Sequence, residues 1–273
     1  MSQKTILITG ASSGMGYAAT KLFAQNGWTV YAGARRIEKI PTGSGIHPLA
    51  LDVTDDASRK AFVKAALAEP TIDVLLNNAG YGEYGPLEEV SYEKAHKQVE
   101  TNLFGATELT KLVLPTMRQQ HFGRIVNNSS IGGDMYSALG GWYHVSKHAL
   151  NVWSDVLDTE VQQFGLRSVV VEPGGTKSSW GEIAMGSIKN NVSENTPYQS
   201  LIDGTMAMVA NVGSHSSATS EDLAKVFYRA ATEEKPKLRY YFSFSDRMMA
   251  HVARVHPTLF HKIVMRMTAR AMH

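Results

Sequence analysis

Short runs of apolar and β-branched residues alternate with longer segments of helical spacing through the first two-thirds of the chain. The apolar runs lie at 4–9, 28–34, 47–53, 72–77, 123–129 and 166–172. The helical windows are 14–26, 55–69, 91–118 and 142–164. Most runs are almost continuously apolar at their centres, which is typical of strands covered on both faces of a sheet. The pattern predicts an α/β protein with a doubly wound parallel sheet and helices on both faces.

The pattern loosens after the sixth strand. Residues 177–217 are semi-regular, and their scattered large apolar residues favour a lid over a disordered loop. A helix at 220–233 and a seventh strand at 238–243 follow. The tail from about 246 to 273 carries five basic residues and no acid after Asp246, with apolar residues interleaved. This predicts a basic amphipathic helix that packs on a pocket or a subunit, with a membrane surface as the weaker alternative.

Composition excludes several classes of protein. The 273 residues include no cysteine, so disulfides, thiol catalysis and thiolate metal sites are excluded. The ten histidines show no HExxH-type spacing, so we expect no metal. The net charge of +2 argues neither for nor against nucleic acid, and we expect a small-molecule substrate and no nucleic-acid partner.

The ends and the linkers of the chain bear on its organisation and location. Neither a signal-peptide pattern nor a membrane span of ~18 apolar residues is seen. Without a repeat or a Pro/Ser-rich linker, we expect a single cytoplasmic domain over 1–273.

A glycine-rich turn, ITGASSGMG, joins the first strand to the first helix. Glycines let the backbone approach a pyrophosphate, whose charge the amides and dipole of a helix N-terminus stabilise. The spacing is TGxxxGxG rather than GxGxxG, but a strand before it and a helix after it favour dinucleotide binding in a Rossmann-like fold. The predicted cofactor contacts here are Gly10, Ser12, Ser13, Gly14, Met15 and Gly16.

The end of the second strand predicts which dinucleotide binds. An acid there accepts hydrogen bonds from the ribose of NAD, whereas a basic residue pairs with the 2′-phosphate of NADP. Ala34 stands where the acid would be, and Arg35 and Arg36 follow. The combination favours NADP over NAD, with two solvated surface charges as the alternative.

The next two strands end in polar residues. Asp52 and Val53 close the third strand, and Asp52 either caps the following helix or meets the adenine amino group. In the segment NNAG, Asn77 and Asn78 are expected to tie strand ends together, and Gly80 leaves room for a ribose. The predicted cofactor contacts are Asp52, Val53, Asn78, Ala79 and Gly80.

These motifs resemble the short-chain dehydrogenase/reductase family in its single-domain form, over roughly residues 4–245. The motifs that carry the resemblance are TGASSGMG at 9–16, NNAG at 77–80, Asn102, Ser130, YHVSK at 143–147 and PG at 173–174. Ser130 lies thirteen residues before Tyr143, which is the usual separation in the family. The resemblance implies an NADP-dependent enzyme that interconverts a carbonyl group and a secondary alcohol. Its implied catalytic residues are Asn102, Ser130, Tyr143 and Lys147.

Tyr143 and Lys147 are one helical turn apart, which places the phenol and the ammonium group on the same face. A free tyrosine, with a pKa near 10, is too weakly ionised to serve as a base. At ~4 Å and an effective dielectric constant of ~20, the ammonium charge is worth about 4 kcal/mol, which lowers the phenol pKa by up to about three units. Tyr143 would then donate a proton in reduction and accept one in oxidation. The resemblance implies that Lys147 also bonds the nicotinamide ribose.

Ser130 is expected to donate a hydrogen bond to the substrate oxygen, with a turn cap as the alternative. A nucleophilic pair of Ser130 and His144 is disfavoured because no orienting acid follows. The resemblance implies that Asn102 holds a water that links Lys147 to solvent, and the alternative for Asn102 is an exposed polar residue in mid-helix. The resemblance further implies that Pro173, Gly174 and Thr176 pass the nicotinamide, with Ser178 where the family often has threonine.

The predicted substrate pocket is rich in aromatic and thioether groups. Its residues are Ser130, Met135, Tyr136, Trp142 and Trp180, with Tyr81, Tyr84 and Leu139 as further candidates. This lining predicts an apolar carbonyl or secondary alcohol of moderate size, although any one of the residues could instead pack the loops.

Assembly and alternative functions complete the predictions. Helices 91–118 and 142–164 carry apolar residues beyond one face, and the resemblance implies a homodimer or homotetramer through them.

The alternative function is a non-catalytic NADP sensor or partner-binding protein on the same fold. A nucleotide-sugar epimerase is a third option, but that form of the family is longer and usually has an acid after the second strand.

Overall fold

Seven parallel strands form one sheet in a computed structural model that describes residues 3–176, 179–215 and 218–272, with the backbone alone for 179–183 and 208–215. The strands are β1 Thr5–Thr9, β2 Thr29–Ala34, β3 Ile46–Ala50, β4 Val74–Asn77, β5 Gly123–Asn128, β6 Leu166–Val171 and β7 Arg239–Tyr240. Their order is β3-β2-β1-β4-β5-β6-β7. The strand order reverses between β1 and β4, which is where ligands bind in open α/β sheets. The predicted doubly wound, Rossmann-like sheet is confirmed.

The helices cover both faces of this sheet. They are α1 Gly14–Gln25, α2 Asp56–Ala66, α3 Tyr92–Val99, α4 Gly105–Gln119, α5 Gly141–Val161, α6 Ser179–Lys189, α7 Gln199–His215, α8 Ser220–Thr232, α9 Phe244–Val255 and α10 Pro257–Ala271. Alternate side chains of β1 point to opposite faces. Ile6 and Ile8 pack with α1 and α8, whereas Leu7 packs with α2, α4 and α5. Both faces are therefore apolar, which explains the continuous apolar runs in the sequence.

The third strand is shorter than predicted. It ends at Ala50, so Asp52 and Val53 lie in the connection to α2. The carboxylate of Asp52 accepts hydrogen bonds from the Thr54 amide at 2.9 Å and the Thr54 hydroxyl at 2.7 Å, and such a side-chain turn ends the strand. The helix is capped by Asp55, whose carboxylate accepts from the Ser58 amide at 2.6 Å, and not by Asp52.

Three other predicted elements differ from the elements in the structure. The window 91–118 contains a π-helical turn, Glu100–Phe104, between α3 and α4. The seventh strand has two residues instead of six, because the chain turns into α9 at the N-cap Ser243. The tail forms two helices instead of one, and the break falls at Pro257, which has no N–H to continue α9 and starts α10.

The residues expected to pair subunits divide between the core and the surface. Leu109 and Val161 are buried in the protein's own core, whereas Val152 is 64% exposed and Val156 is 50% exposed on α5. The predicted dimer or tetramer stays a prediction. In the described part of the chain, no helix combines the length and apolarity needed to span a membrane.

Candidate active site

The glycine turn between β1 and α1 is held close to the end of β4. Gly10 and Gly14 have φ values of +69° and +54°, which L-residues with a side chain rarely adopt. A Cβ atom on Gly10 would lie 2.9 Å from the Ala79 Cα, and one on Gly16 would lie 2.4 Å from the Gly10 carbonyl oxygen. Glycine is therefore required at these positions to pack the turn against the NNAG segment.

The N-terminus of α1 is open toward this turn. Ser13 is the N-cap residue, but among the described residues its side chain makes no capping hydrogen bond, and the first turn of α1 contains no acid. The first amides of a helix need acceptors, and an anion at this end is stabilised by the helix dipole. The residues present fit a phosphate group, which is what the predicted cofactor contacts require.

Asparagine side chains join the ends of three strands. The Asn77 amide donates to the Asn127 carbonyl oxygen at 2.9 Å, and the Asn128 amide donates to the Asn78 carbonyl oxygen at 2.9 Å. The Asn78 amide also donates to the Thr9 backbone oxygen at 2.9 Å. The predicted tying of strand ends is confirmed, and it fixes the floor beneath the glycine turn.

The adenosine end of the predicted cofactor site lies at the ends of β2 and β3. Arg35 and Arg36 are exposed directly after β2. Burial opposes ionisation of Asp52, but hydrogen bonds from Thr54 and the charge of Arg35 bring the net pKa of Asp52 below its usual range. Arg35 and Asp52 therefore share this edge, as their predicted roles require.

Asn102 lies in the π-helical turn and is buried. Its carbonyl oxygen accepts from the Tyr81 amide at 3.1 Å, and its side-chain amide donates to the Tyr81 carbonyl at 2.9 Å and the Ser146 hydroxyl at 3.1 Å. The alternative of an exposed polar residue is wrong. A Cβ atom on Gly80 would lie 3.0 Å from the Asn102 oxygen and 3.7 Å from the Lys147 nitrogen, so these groups are neighbours. The water relay through Asn102 stays a prediction.

Lys147 and Tyr143 are both buried on α5. The Lys147 ammonium donates to the Asn128 carbonyl at 2.7 Å and lies 6.0 Å from the centre of the Tyr143 ring. Burial lowers the pKa of Lys147 to about 8. Burial raises the pKa of Tyr143 to about 12, although the hydrogen bond with Ser130 opposes the shift. The predicted lowering of the Tyr143 pKa is wrong, because the cost of burying a phenolate exceeds the stabilisation that its neighbours provide.

Ser130 caps a short 3₁₀ turn, Ile131–Gly133, and also contacts the phenol. Its hydroxyl accepts from the Gly132 amide at 3.0 Å and donates to the Pro173 carbonyl at 3.3 Å. The predicted alternative of a turn cap is therefore correct. The hydrogen bond between Ser130 and Tyr143 brings the hydroxyl to the phenol at the same time.

His144 holds the segment between Ser130 and Tyr143 in place. Its Nδ1 lies 2.9 Å from the Gly132 carbonyl oxygen, and its Nε2 accepts from the Ser137 amide at 3.1 Å. Burial lowers the pKa of His144 to about 4, so the ring is neutral. Both ring nitrogens are occupied, which excludes His144 as a base for Ser130. No pattern in the sequence indicates this positioning role, because the role depends on contacts with a folded loop.

The chain after β6 turns across the site. The Pro173 carbonyl accepts from the Ile131 amide at 3.0 Å, and the Thr176 hydroxyl donates to the Gly174 carbonyl at 3.2 Å. The carboxylate of Asp246, at the start of α9, lies against Gly174. Ser178 and the side chain of Trp180 lie outside the described residues.

The predicted substrate residues fall into two groups. Met135 and Tyr136 line an apolar cavity of about 340 Å³, and Trp142 is outside its described lining. Tyr84 and Leu139 are buried beside the Tyr143 phenol, with the Tyr84 and Tyr143 ring centres 5.7 Å apart. The assignment of Trp142 to the substrate pocket stays a prediction.

A doubly wound sheet, an open glycine turn and a buried phenol beside an ammonium group define a Rossmann-like oxidoreductase. The chain belongs to the short chain dehydrogenase family, whose sequence profile it matches over residues 4–184.

Three relatives show how far the likeness extends. The uncharacterized oxidoreductase YusZ of Bacillus subtilis is 35% identical over 88% of this chain and 89% of the relative. A 3-ketodihydrosphingosine reductase of Bacteroides thetaiotaomicron is 37% identical over 72% of this chain and 70% of the relative. The crystal structure of a short-chain dehydrogenase from Streptomyces avermitilis is 29% identical and covers 96% of this chain and 98% of its own, with a TM-score of 0.81. Solved chains of the same fold include complexes with NAD and with NADP.

Proposed function

We propose that this oxidoreductase is NADP(H)-dependent and interconverts a carbonyl group and a secondary alcohol, with Tyr143 as the acid and base. The observation that carries the proposal is the buried phenol of Tyr143, bonded to Ser130 and one helical turn from Lys147. The phenol lies on α5, a helix that packs on the sheet whose glycine turn leaves the N-terminus of α1 available to an anion.

Reduction of a carbonyl requires one hydride at carbon and one proton at oxygen. When bound, NADPH supplies the hydride. With a pKa of about 12, Tyr143 is protonated at neutral pH and gives its proton to the carbonyl oxygen as the alcohol forms. In the reverse direction the phenolate takes the proton from the alcohol.

Ser130 and Lys147 stabilise the phenolate that remains after reduction. The Ser130 hydroxyl, which has a single proton, turns from the Pro173 carbonyl to donate to the phenolate, and this hydrogen bond is the effect that lowers the Tyr143 pKa. An ammonium charge 6.0 Å from the ring stabilises it by roughly 3 kcal/mol at an effective dielectric constant of about 20. Lys147 carries this charge below its pKa of about 8 and loses it as pH rises further. Asn128 and Asn102 fix the surroundings of the ammonium group.

The NADP preference rests on Ala34, Arg35 and Arg36. Arg35→Asp should weaken NADPH binding tenfold or more, on the order of 1.5–3 kcal/mol for a charge-assisted hydrogen bond, and NADH binding much less. Titration calorimetry with both nucleotides measures the two changes. Lys39→Asp, an equal change of charge on the exposed turn that follows, is the matched control. Equal losses for NADPH and NADH would contradict the preference.

The substrate is proposed to be an apolar ketone or its alcohol, which the relative named as a 3-ketodihydrosphingosine reductase supports. The test is an NADPH-depletion screen over ketones, aldehydes, steroids, quinones and diketones. Turnover of at least one apolar ketone is expected. NADPH binding without oxidation across the whole panel would instead favour the non-catalytic sensor.

A further inference from the structure

The two C-terminal helices, α9 and α10, form part of the wall of an apolar cavity next to the segment that joins Ser130 to Tyr143. The cavity has a volume of about 340 Å³, within the range of small-molecule sites. Its walls are residues 135–138, Thr205 of α7 and the inward positions of α9 and α10, and no charged side chain is found among the described residues that line it. Four methionines contribute to the lining: Met135, Met248, Met249 and Met267.

We propose that this cavity binds the hydrocarbon chain of the substrate, so that the preferred substrate is a ketone or alcohol with a long unbranched alkyl chain. The inference rests on the proposed reaction at Tyr143 and adds the substrate class to it.

The cavity shares a wall with the catalytic residues. Ala138 lines the cavity and also packs against the buried cluster that contains Tyr143. On α7, Thr205 lines the cavity and its neighbour Met206 packs against the same cluster. The cavity is therefore adjacent to the Tyr143 cluster, and the proposed path of the substrate runs past the small side chain of Ala138, where an alkyl chain needs less room than a fused ring system.

Polar contacts attach the C-terminal helices to the body of the protein. Arg254 of α9 forms an ion pair with Asp134, next to the capped 3₁₀ turn. The Tyr136 hydroxyl lies 2.9 Å from His261 Nδ1 on α10. The Ser200 hydroxyl donates to the Met272 carbonyl at 3.1 Å. These contacts fix α9 and α10 against the rest of the protein. The apolar side chains of the two helices line the cavity that is proposed to hold the substrate chain.

The cavity is open toward solvent at the same helices. Met248, Met249 and Met267 are 45%, 44% and 46% exposed although they line it. Thioether side chains are flexible and adapt to a linear guest. An alkyl chain can therefore enter between α9 and α10, and each added methylene leaves water for an apolar surface.

The test uses a homologous series of unbranched methyl ketones with the full-length protein. The value of kcat/KM should rise with chain length, by up to roughly fourfold per methylene until the cavity is filled. Val264→Trp fills the cavity and should reduce the ratio of kcat/KM for the longest to the shortest ketone by at least an order of magnitude. Val252→Phe provides a second filling variant if Val264→Trp does not fold. Met265→Trp, at a 55% exposed position outside the described lining, is the matched control and should keep the wild-type ratio.

A binding measurement separates this inference from the proposed reaction. A fluorescent fatty-acid analogue should bind the wild type and Met265→Trp, and Val264→Trp should bind it at least tenfold more weakly. Turnover of ketones without dependence on chain length, or preference for a steroid ketone, would overturn the subsite and leave the reaction intact. Probe binding that Val264→Trp abolishes, with no ketone reduced, would uphold the subsite and overturn the reaction.

Discussion

His144 makes the protein's stability depend on pH in a way that the structure specifies. In the fold its pKa is about 4, because burial disfavours the charged ring. In the unfolded chain a histidine has a pKa of about 6.5. The unfolded state therefore gains a proton below pH about 6.5 while the folded state does so only below about 4, and stability falls as pH drops through this interval. The full difference of about 2.5 pKa units corresponds to about 3 kcal/mol.

His144→Gln removes this titration. At neutral pH the variant should be less stable than the wild type by about 1–3 kcal/mol, because the Gly132 carbonyl and the Ser137 amide lose well-placed partners. Only the wild type loses stability through this protonation on acidification, so the stability of the variant relative to the wild type should rise by about 2.5 kcal/mol between pH of about 7.5 and about 4.5. His96→Gln, which removes an exposed histidine of α3, controls for the loss of one histidine.

Urea unfolding followed by circular dichroism, at a series of pH values in a common buffer, measures these differences. The stabilities of the wild type and His144→Gln should converge, or cross where the deficit at neutral pH is small, as the solution becomes acidic. A stability difference that stays constant or widens toward low pH would refute the assignment of His144 as a buried neutral ring.

Three further predictions concern the turn, the π-helical segment and the ammonium group. Gly10→Ala should lower the free energy of unfolding in urea by more than 2 kcal/mol and weaken NADPH binding. Gly27→Ala is the control, because Gly27 has φ +79° and no described atom lies within 4 Å of the new Cβ. It should cost about 1–2 kcal/mol and leave NADPH binding unchanged. Asn102→Ala removes the acceptor of the Tyr81 amide, whereas the Tyr81 carbonyl keeps its hydrogen bond from Gln98, and the change should cost about 1–3 kcal/mol, also measured by urea unfolding. A change below the error of the fit would contradict the buried network. In a pH profile of kcat/KM, reduction should decline above pH about 8 as Lys147 loses its charge, and a rate still rising there would contradict its role.

The features that the sequence predicted well depend on local patterns. The apolar runs require strands covered on both faces, and Gly10 and Gly16 mark a turn where a side chain would collide with neighbouring backbone. The break between α9 and α10 was missed, because the amphipathic spacing of the tail predicted one continuous helix, although Pro257 is a local signal for it.

The features that were missed depend on tertiary contacts. The direction of the Tyr143 pKa follows from how deeply the phenol is buried, which the spacing to Lys147 does not reveal. The role of His144 requires that a loop folds back on the ring. The cavity behind Ala138 combines three segments that are far apart in the sequence. The π-helical turn around Asn102 likewise has no period of its own to detect.

The central claim is that the phenol of Tyr143 transfers the proton. Its most direct test is single-turnover reduction of the best ketone by NADPH, with Tyr143→Phe compared with the wild type and the NADPH affinity of both measured separately. Tyr143→Phe should bind NADPH as the wild type does but oxidise it about 10²–10⁴ times more slowly. Oxidation of NADPH by Tyr143→Phe at the wild-type rate would contradict it.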